Sequence, residues 1–173
     1  MTPQYIYDPT VTESLDRELR ELLSLCFEDK TFSYQRFNYE LPQHRWILRD
    51  ENEQLVGHVA VHDKRLKTGN DEIRVAGVAE VCVHPEFRKQ GYAACLMKVM
   101  HIWCREQGMI YATLFGRSEI YGKFGFKPKT NLLHRFDVES VIWKTEPHAY
   151  FQVLRLSDQN WPEGTVDLQG PKY

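Results

Sequence analysis

The most constraining stretch of this chain is residues 73–83, IRVAGVAEVCV. A valine-rich apolar run of that length, broken by a single acid, has the composition of a strand buried on both faces. It is followed at once by HPEFRKQG and then by a helical pattern over residues 90–107, in which Ala93, Leu96, Met100, Trp103 and Cys104 fall on or near one face. Gly108 then serves as the helix C-cap, and MIYATLF (residues 109–115) reads as a further strand. Strand, helix and strand in succession make a right-handed crossover, so the two strands are expected to be parallel.

The flanking segments add antiparallel partners. YIY (residues 5–7) is a short first strand ended by Asp8-Pro9. Thr10 and Glu13 have capping-box spacing, and Leu15, Leu19, Leu22, Leu23 and Cys26 then form one apolar helix face. Residues 27–44 are aromatic and irregular, with room for a short second helix before Pro42 and for groups that face a substrate. RWILRD and LVGHVAVH, joined by ENEQ, form a hairpin, and Lys67-Thr68-Gly69-Asn70 makes the next turn. SEIYGKFGF gives one or two helical turns stopped by Gly125. LLHRFDV and AYFQVLRL are two more strands, and the turn-rich tail (residues 157–173) is expected to pack over the surface. The expected architecture is a single α/β (α+β) domain over residues 1–173: a mixed, mostly antiparallel twisted sheet of about six to seven strands with about four helices.

Composition narrows the function classes. With 42% hydrophobic residues the chain can bury a substantial core, and a formal charge of -2 argues against bulk electrostatic binding of nucleic acid. No basic and apolar leader opens the sequence, and no run reaches the ~18 apolar residues that a membrane helix needs. Cys26, Cys82, Cys95 and Cys104 form no C-x-x-C pair and no zinc spacing, so no metal is expected. They read as reduced thiols of a cytoplasmic protein.

The loop after the long strand carries chemistry of its own. The first amides of a helix have no intrahelical partner, and the helix dipole adds partial positive charge there. Such a terminus binds phosphate. Gly91 and Ala93 keep bulky side chains away, while Arg88 and Lys89 add charge. Two readings stay open from these features: a pyrophosphate cradle, or a strand-to-helix turn with solvated cations. The loop has neither G-x-x-x-x-G-K-[ST] nor G-x-G-x-x-G, which counts against ATP, GTP and NAD.

VHPEFRKQGYAACLM resembles the acyl-CoA-binding motif of the GNAT superfamily of N-acetyltransferases. That motif is Val-x-Pro, then Arg or Gln-x-x-Gly-x-Gly or Ala, then an apolar helix; here Val83, Pro85, Arg88, Gly91 and Ala93 fill the places. A second motif of the family, Tyr-x-x-x-Gly-Phe, is matched by Tyr121, Gly125 and Phe126 after the MIYATLF strand. The resemblance implies that the backbone of Val81, Cys82 and Val83 pairs with the pantetheine arm of acetyl-CoA like an added strand. It implies that the amides of Arg88, Lys89, Gln90, Gly91, Tyr92, Ala93 and Ala94 bind the coenzyme A pyrophosphate. It makes Tyr121 the general acid for the departing thiolate, since a phenol keeps its proton near neutral pH.

The general base is less plainly marked. Glu80 is the only acid within VAGVAEVCV, and an unpaired carboxylate there is costly, which suggests a purpose. By strand parity Glu80 shares a face with Cys82, while Gly77 and Ala79 hold positions where members of the family often place their acid. A bulge could shift the face. The structural alternative pairs Glu80 with Arg74 or His58. No nucleophile is evident, because Cys82 and Cys95 have no His/Asp partner by sequence. That favours direct attack of an amine on the thioester.

A narrower resemblance links LVGHVAVHDKRLK and the following strand to aminoglycoside 2'-N-acetyltransferases, and NWPEGTVDLQGP to nodulation N-acyltransferases. Both imply a small-molecule amine acceptor, such as an amino sugar; a polyamine or drug is also admitted. Glu28, Asp29, Glu40 and Glu119 are candidates to attract it, or are solvated surface charges. Dimers are common in the resembled family, so a homodimer is admitted as well. The alternative of a different class is a non-catalytic coenzyme A sensor or regulatory module.

Overall fold

The computed structural model describes residues 1–135, 143–144 and 150–173. The chain forms two compact units: Met1–His62 with Val78–Met100, and Asp63–Gly77 with His101–Tyr173. Two strands and one helix run through both.

In the first unit, β1 (Gln4–Tyr7) pairs antiparallel with β2 (His44–Arg49), and β2 pairs antiparallel with the first half of β3 (Leu55–Thr68). The second half of β4 (Asp71–Val83) completes this part of the sheet, and the His84 N–H donates to the Val56 carbonyl at 2.8 Å. The helix α1 (Glu13–Cys26) follows the expected stripe. Leu19, Leu22 and Leu23 are buried against Phe32, Ile47, Leu55 and Cys82. Its cap is Thr12 and not Thr10: the Thr12 hydroxyl accepts from the Leu15 N–H at 3.3 Å, while Thr10 Oγ1 donates back to the Tyr7 carbonyl. The second helix expected within residues 27–44 is reduced to a 3-10 turn, Lys30–Ser33, whose Phe32 enters the core.

In the second unit the strand order is β6-β9-β5-β4-β3-β10-β7-β8. The strands are β5 (Tyr111–Phe115), β6 (Lys127–Pro128), β7 (Leu132–Arg135), β8 (Trp143–Lys144), β9 (Phe151–Arg155) and β10 (Val166–Asp167). As the crossover requires, β5 runs parallel to β4, over Val75, Ala76 and Gly77. The crossover helix α2 (Tyr92–Glu106) buries Leu96, Met97, Met100 and Cys104, and Gly108 ends it at φ +72°. The tail differs from expectation. Its β10 pairs antiparallel with β3 and parallel with β7, and Trp161, Val166 and Leu168 join the buried cluster around Tyr111 and Phe151. The apolar side chains scattered through the tail contribute core that its turn residues obscured. Positions 136–138 of the LLHRFDV strand and Ala149 lie outside the described residues.

The result is the mixed, mostly antiparallel sheet expected from the sequence. Among the described residues no helix is long and apolar enough to cross a membrane.

Candidate active site

The loop into α2 is built by three backbone features. Pro85–Phe87 forms a 3-10 turn, Lys89 takes a left-handed conformation at φ +64°, and Gly91 another at φ +86°. Glycine enters that region without steric cost, and a Cβ at Gly91 would meet nothing within 4 Å, so conformation and not crowding calls for it. The helix begins at Tyr92, two residues later than the sequence pattern suggested, and the Cys95 N–H is the one that donates to the Gly91 carbonyl. The amides of Tyr92, Ala93 and Ala94 thus precede the first such helical bond at this end, in open surroundings suited to an anion. Lys89 and Gln90 are exposed beside them. Arg88 is turned back: its Nε donates to the Val83 carbonyl at 3.1 Å.

Glu80 lies just upstream, in β4, with φ +53°. A left-handed glutamate inside a strand is strained by about 1–3 kcal/mol and persists only where its surroundings over-determine it. They do. His58 accepts from Arg45 Nη1 on Nε2 at 3.0 Å, which assigns the proton to Nδ1, and Nδ1–H donates to the Glu80 carbonyl at 2.9 Å. Burial and the neighbouring Arg45 push the His58 imidazole down to about 3, so it is neutral.

The Glu80 carboxylate accepts from Arg45 Nη1 at 3.0 Å and from the Asn38 backbone N–H. Arg45 is fully buried. Its Nε donates to Asp8 Oδ1 at 2.5 Å and its Nη2 to the Arg36 carbonyl at 3.0 Å. Arg36 bridges Asp8 at 2.7 Å and Asp16 at 2.8 Å. Burial opposes the charge on Asp8, but hydrogen bonds from Arg36 and Arg45 hold its carboxyl below the usual range. At Glu80 the balance tips the other way: desolvation outweighs the attraction of Arg45 and pushes the carboxyl up to about 7. A buried carboxylate poised near neutrality can exchange a proton in either direction.

The structure thus corrects the expected partner of Glu80. Arg74 pairs with Asp63 instead, at 2.7 Å, and His58 holds the main chain and not the carboxylate. Sequence reading passed over Arg45, Asp8 and Asn38. The available signal was Arg45 itself, a charge two residues before Ile47 and so on the core-facing side of its strand. Residues 27–44 contribute Arg36 and Asn38 to this network. Asp29 is committed to the Thr31 N–H and the Asn38 side chain, and Glu28 is exposed.

Gly77 has a different occupant. A Cβ there would lie 2.9 Å from the Tyr173 ring, and the Tyr173 hydroxyl is hydrogen-bonded to that of Thr113. An acid at this position would collide with that ring.

Tyr121 belongs to the second unit. It ends α3 (Ser118–Tyr121), and a further 3-10 turn, Gly122–Phe124, closes on Gly125 at φ +89°. Its ring stands edge-on to Phe126 at 6.2 Å and tilted to Phe124 at 6.5 Å. Gly116 makes this placement possible, because a Cβ there would fall 2.3 Å from Tyr121 Cε2. The Gly116 backbone is itself fixed, its N–H donating to Tyr150 and its carbonyl accepting from the buried Gln152. Glu119 is exposed on the same short helix. Among the described residues no group of three or more His, Cys, Asp or Glu side chains gathers as metal ligands would.

Residues 10–128 match the family described as an acetyltransferase (GNAT) domain. The chain belongs to that family. Solved structures with the same fold include the GNAT family N-acetyltransferase YhbS from Escherichia coli in complex with CoA, at 22% identity and a TM-score of 0.69, with 97% of this chain and 90% of that one covered. A GNAT family acetyltransferase from Brucella melitensis in complex with acetyl-CoA is 20% identical over 95% of this chain and 94% of that one, with a TM-score of 0.62. The ribosomal-protein-S18-alanine N-acetyltransferase from Escherichia coli is 14% identical over 92% and 97%, with a TM-score of 0.57. Among curated protein sequences none matches the chain significantly.

Proposed function

We propose that residues 1–173 act as one acyl-CoA-dependent N-acyltransferase domain, which moves an acetyl group from acetyl-CoA to the primary amine of a small molecule by direct attack in a ternary complex. Membership of the GNAT family and the coenzyme complexes of the similar structures support the donor. The residues at the α2 N-terminus fit it: the first amides of the helix, left-handed turns at Lys89 and Gly91, and no atom within 4 Å of where a Cβ of residue 91 would lie. The backbone of Val81, Cys82 and Val83 would hold the pantetheine arm.

The observation that carries the reading as an enzyme, and not as a coenzyme sensor, is Glu80. A carboxyl pushed up to about 7 can take a proton from an ammonium, directly or through water, and so supply the neutral amine that attack requires. Tyr121 would donate its phenolic proton to the departing thiolate. Orientation of the two substrates supplies much of the remaining acceleration. The four cysteines, none of them in a C-x-x-C pair, are read as reduced thiols of a cytoplasmic protein.

The test is release of coenzyme A from acetyl-CoA across a panel of amines: amino sugars, polyamines, amino acids and amine drugs. Turnover on at least one supports the proposal. Saturable coenzyme binding without turnover on any would return the chain to the sensor reading.

A further inference from the structure

One buried amide of the second unit has no role in this chemistry. Gln152 is fully buried in β9, between Phe151 and Val153 of the core cluster. Its Nε2 donates to the Gly116 carbonyl at 2.5 Å, and its Oε1 has no hydrogen-bond partner among the described residues. Of the two amide atoms the nitrogen alone can donate to a carbonyl, so Gly116 fixes which way round the amide stands. A methionine would fill the place without leaving a buried polar atom unmet, so packing by itself does not call for an amide there.

The bond ends on the turn that launches α3. The Gly116 N–H donates to the Tyr150 carbonyl at 2.8 Å, so both backbone polar groups of Gly116 are held from the β9 side. Its carbonyl shares a planar peptide unit with the Arg117 N–H, and fixing one orients the other. The Arg117 carbonyl then accepts from the N–H groups of Ile120 at 3.0 Å and Tyr121 at 3.1 Å. That helix is four residues long, with no side-chain cap at Arg117, and is too short to keep a direction of its own. The Tyr121 ring returns onto the same glycine: a Cβ on Gly116 would lie 2.7 Å from Cδ2 and nearer still to Cε2. The start and the end of the segment that carries Tyr121 therefore both refer to Gly116, and Gly116 to Gln152.

We propose that Gln152 is a positioning residue for Tyr121. By holding the Gly116 carbonyl it sets the Gly116–Arg117 peptide, through that peptide the single turn of α3, and at the end of that turn the ring. Without the amide the peptide can rotate, and the phenol leaves the place from which it would meet a departing thiolate. The effect on turnover rests on the proposed role of Tyr121 as general acid; the placement of the ring does not.

The experiment compares wild type with Gln152→Met, as full chains, by NMR and by kinetics. The Tyr121 ring current displaces the Gly116 Hα resonances, and Tyr121→Leu, which removes the ring, gives the undisplaced position. Gln152→Met is expected to lose most of that displacement while its circular dichroism stays that of wild type. If the methionine variant does not fold, Gln152→Asn, an amide one methylene too short for Gly116, takes its place. With acetyl-CoA and the amine of the panel that turns over fastest, kcat should fall about tenfold or more while the KM for acetyl-CoA holds. The same change made in Tyr121→Phe should cost nothing further. Gly116 resonances that do not move overturn the proposal, and so does a wild type with no nuclear Overhauser contact between the Gln152 amide protons and Gly116. An equal fall in kcat on the Tyr121→Phe background also overturns it, because the amide would then act through something other than the phenol. Unaltered turnover in Tyr121→Phe overturns the acid reading instead, and an amine panel without turnover overturns the enzyme reading. In both cases the glycine resonances still judge the positioning.

Discussion

Glu80 and Tyr121 are proposed as a base and an acid, and the protein positions them by different physics. Glu80 is a buried ionisable group in a left-handed backbone. Holding it takes a polar lattice: Arg45 and the Asn38 amide on its carboxylate, His58 on its carbonyl, and Asp8 and Arg36 behind Arg45. Tyr121 needs no buried charge, and its ring is set by fit: the missing side chain at Gly116 and the edges of Phe124 and Phe126. A charge must be satisfied from every side or it neutralises; a phenol must chiefly be given room. The first kind of site is fragile to loss of a partner, the second to added volume.

The sharpest way to break the comparison is at Glu80. Glu80→Gln keeps the shape and the Arg45 contact but cannot take a proton, so kcat should fall about 10²–10⁴-fold and the acid limb near pH 7 should vanish from the pH–rate profile. An unaltered profile would return Glu80 to a purely structural role. Arg45→Met attacks the lattice. It leaves Asp8 buried without one of its two cations and should cost about 3–5 kcal/mol in denaturant unfolding, with any remaining acid limb moved to higher pH.

Tyr121→Phe retains the ring and loses the hydroxyl with its proton, so turnover should drop about 10²-fold while acetyl-CoA affinity stays nearly intact. Gly116→Ala should approach the same kinetic defect by displacing the ring, without touching the hydroxyl chemically. If its kcat is unchanged, fit does not set Tyr121.

The smallest effect is on stability with pH. The folded pKa of Glu80 is raised from 4.5 to about 7, so the folded state binds more protons between those values. The stabilising contribution is complete below pH 4.5 and is lost as pH rises through about 7. Urea unfolding of wild type should therefore show a decline over that window that Glu80→Gln lacks. Asp8 and Asp16, held low by Arg36, act in the opposite sense and only in acid, below their ordinary range.

Much of the fold was legible because it is periodic. The α1 stripe, the valine run of β4, the α2 face and the parallel return through β5 all follow from spacing, and Gly108 and Gly125 mark helix ends by conformations that glycine enters freely. The tail was not legible, since Trp161, Val166 and Leu168 have no period and become core through pairing with strands distant in sequence. The same limit applies to the site. Gly91, Tyr121 and Glu80 stood out as residue types in a local pattern, whereas Arg45, Asp8 and Asn38 did not, because each acts on a partner between 35 and 42 positions away in the chain.

The sequence by itself determined the loop: a glycine that can turn left-handed, small residues after it and a helix whose first amides face out, all within a dozen positions. Only the tertiary structure decided what Glu80 is. Its carboxyl is near neutrality because burial raises it more than Arg45 lowers it, and neither the burial nor the cation is visible along the chain. Local backbone chemistry can be read from neighbours in sequence; a proton affinity is set by neighbours in space.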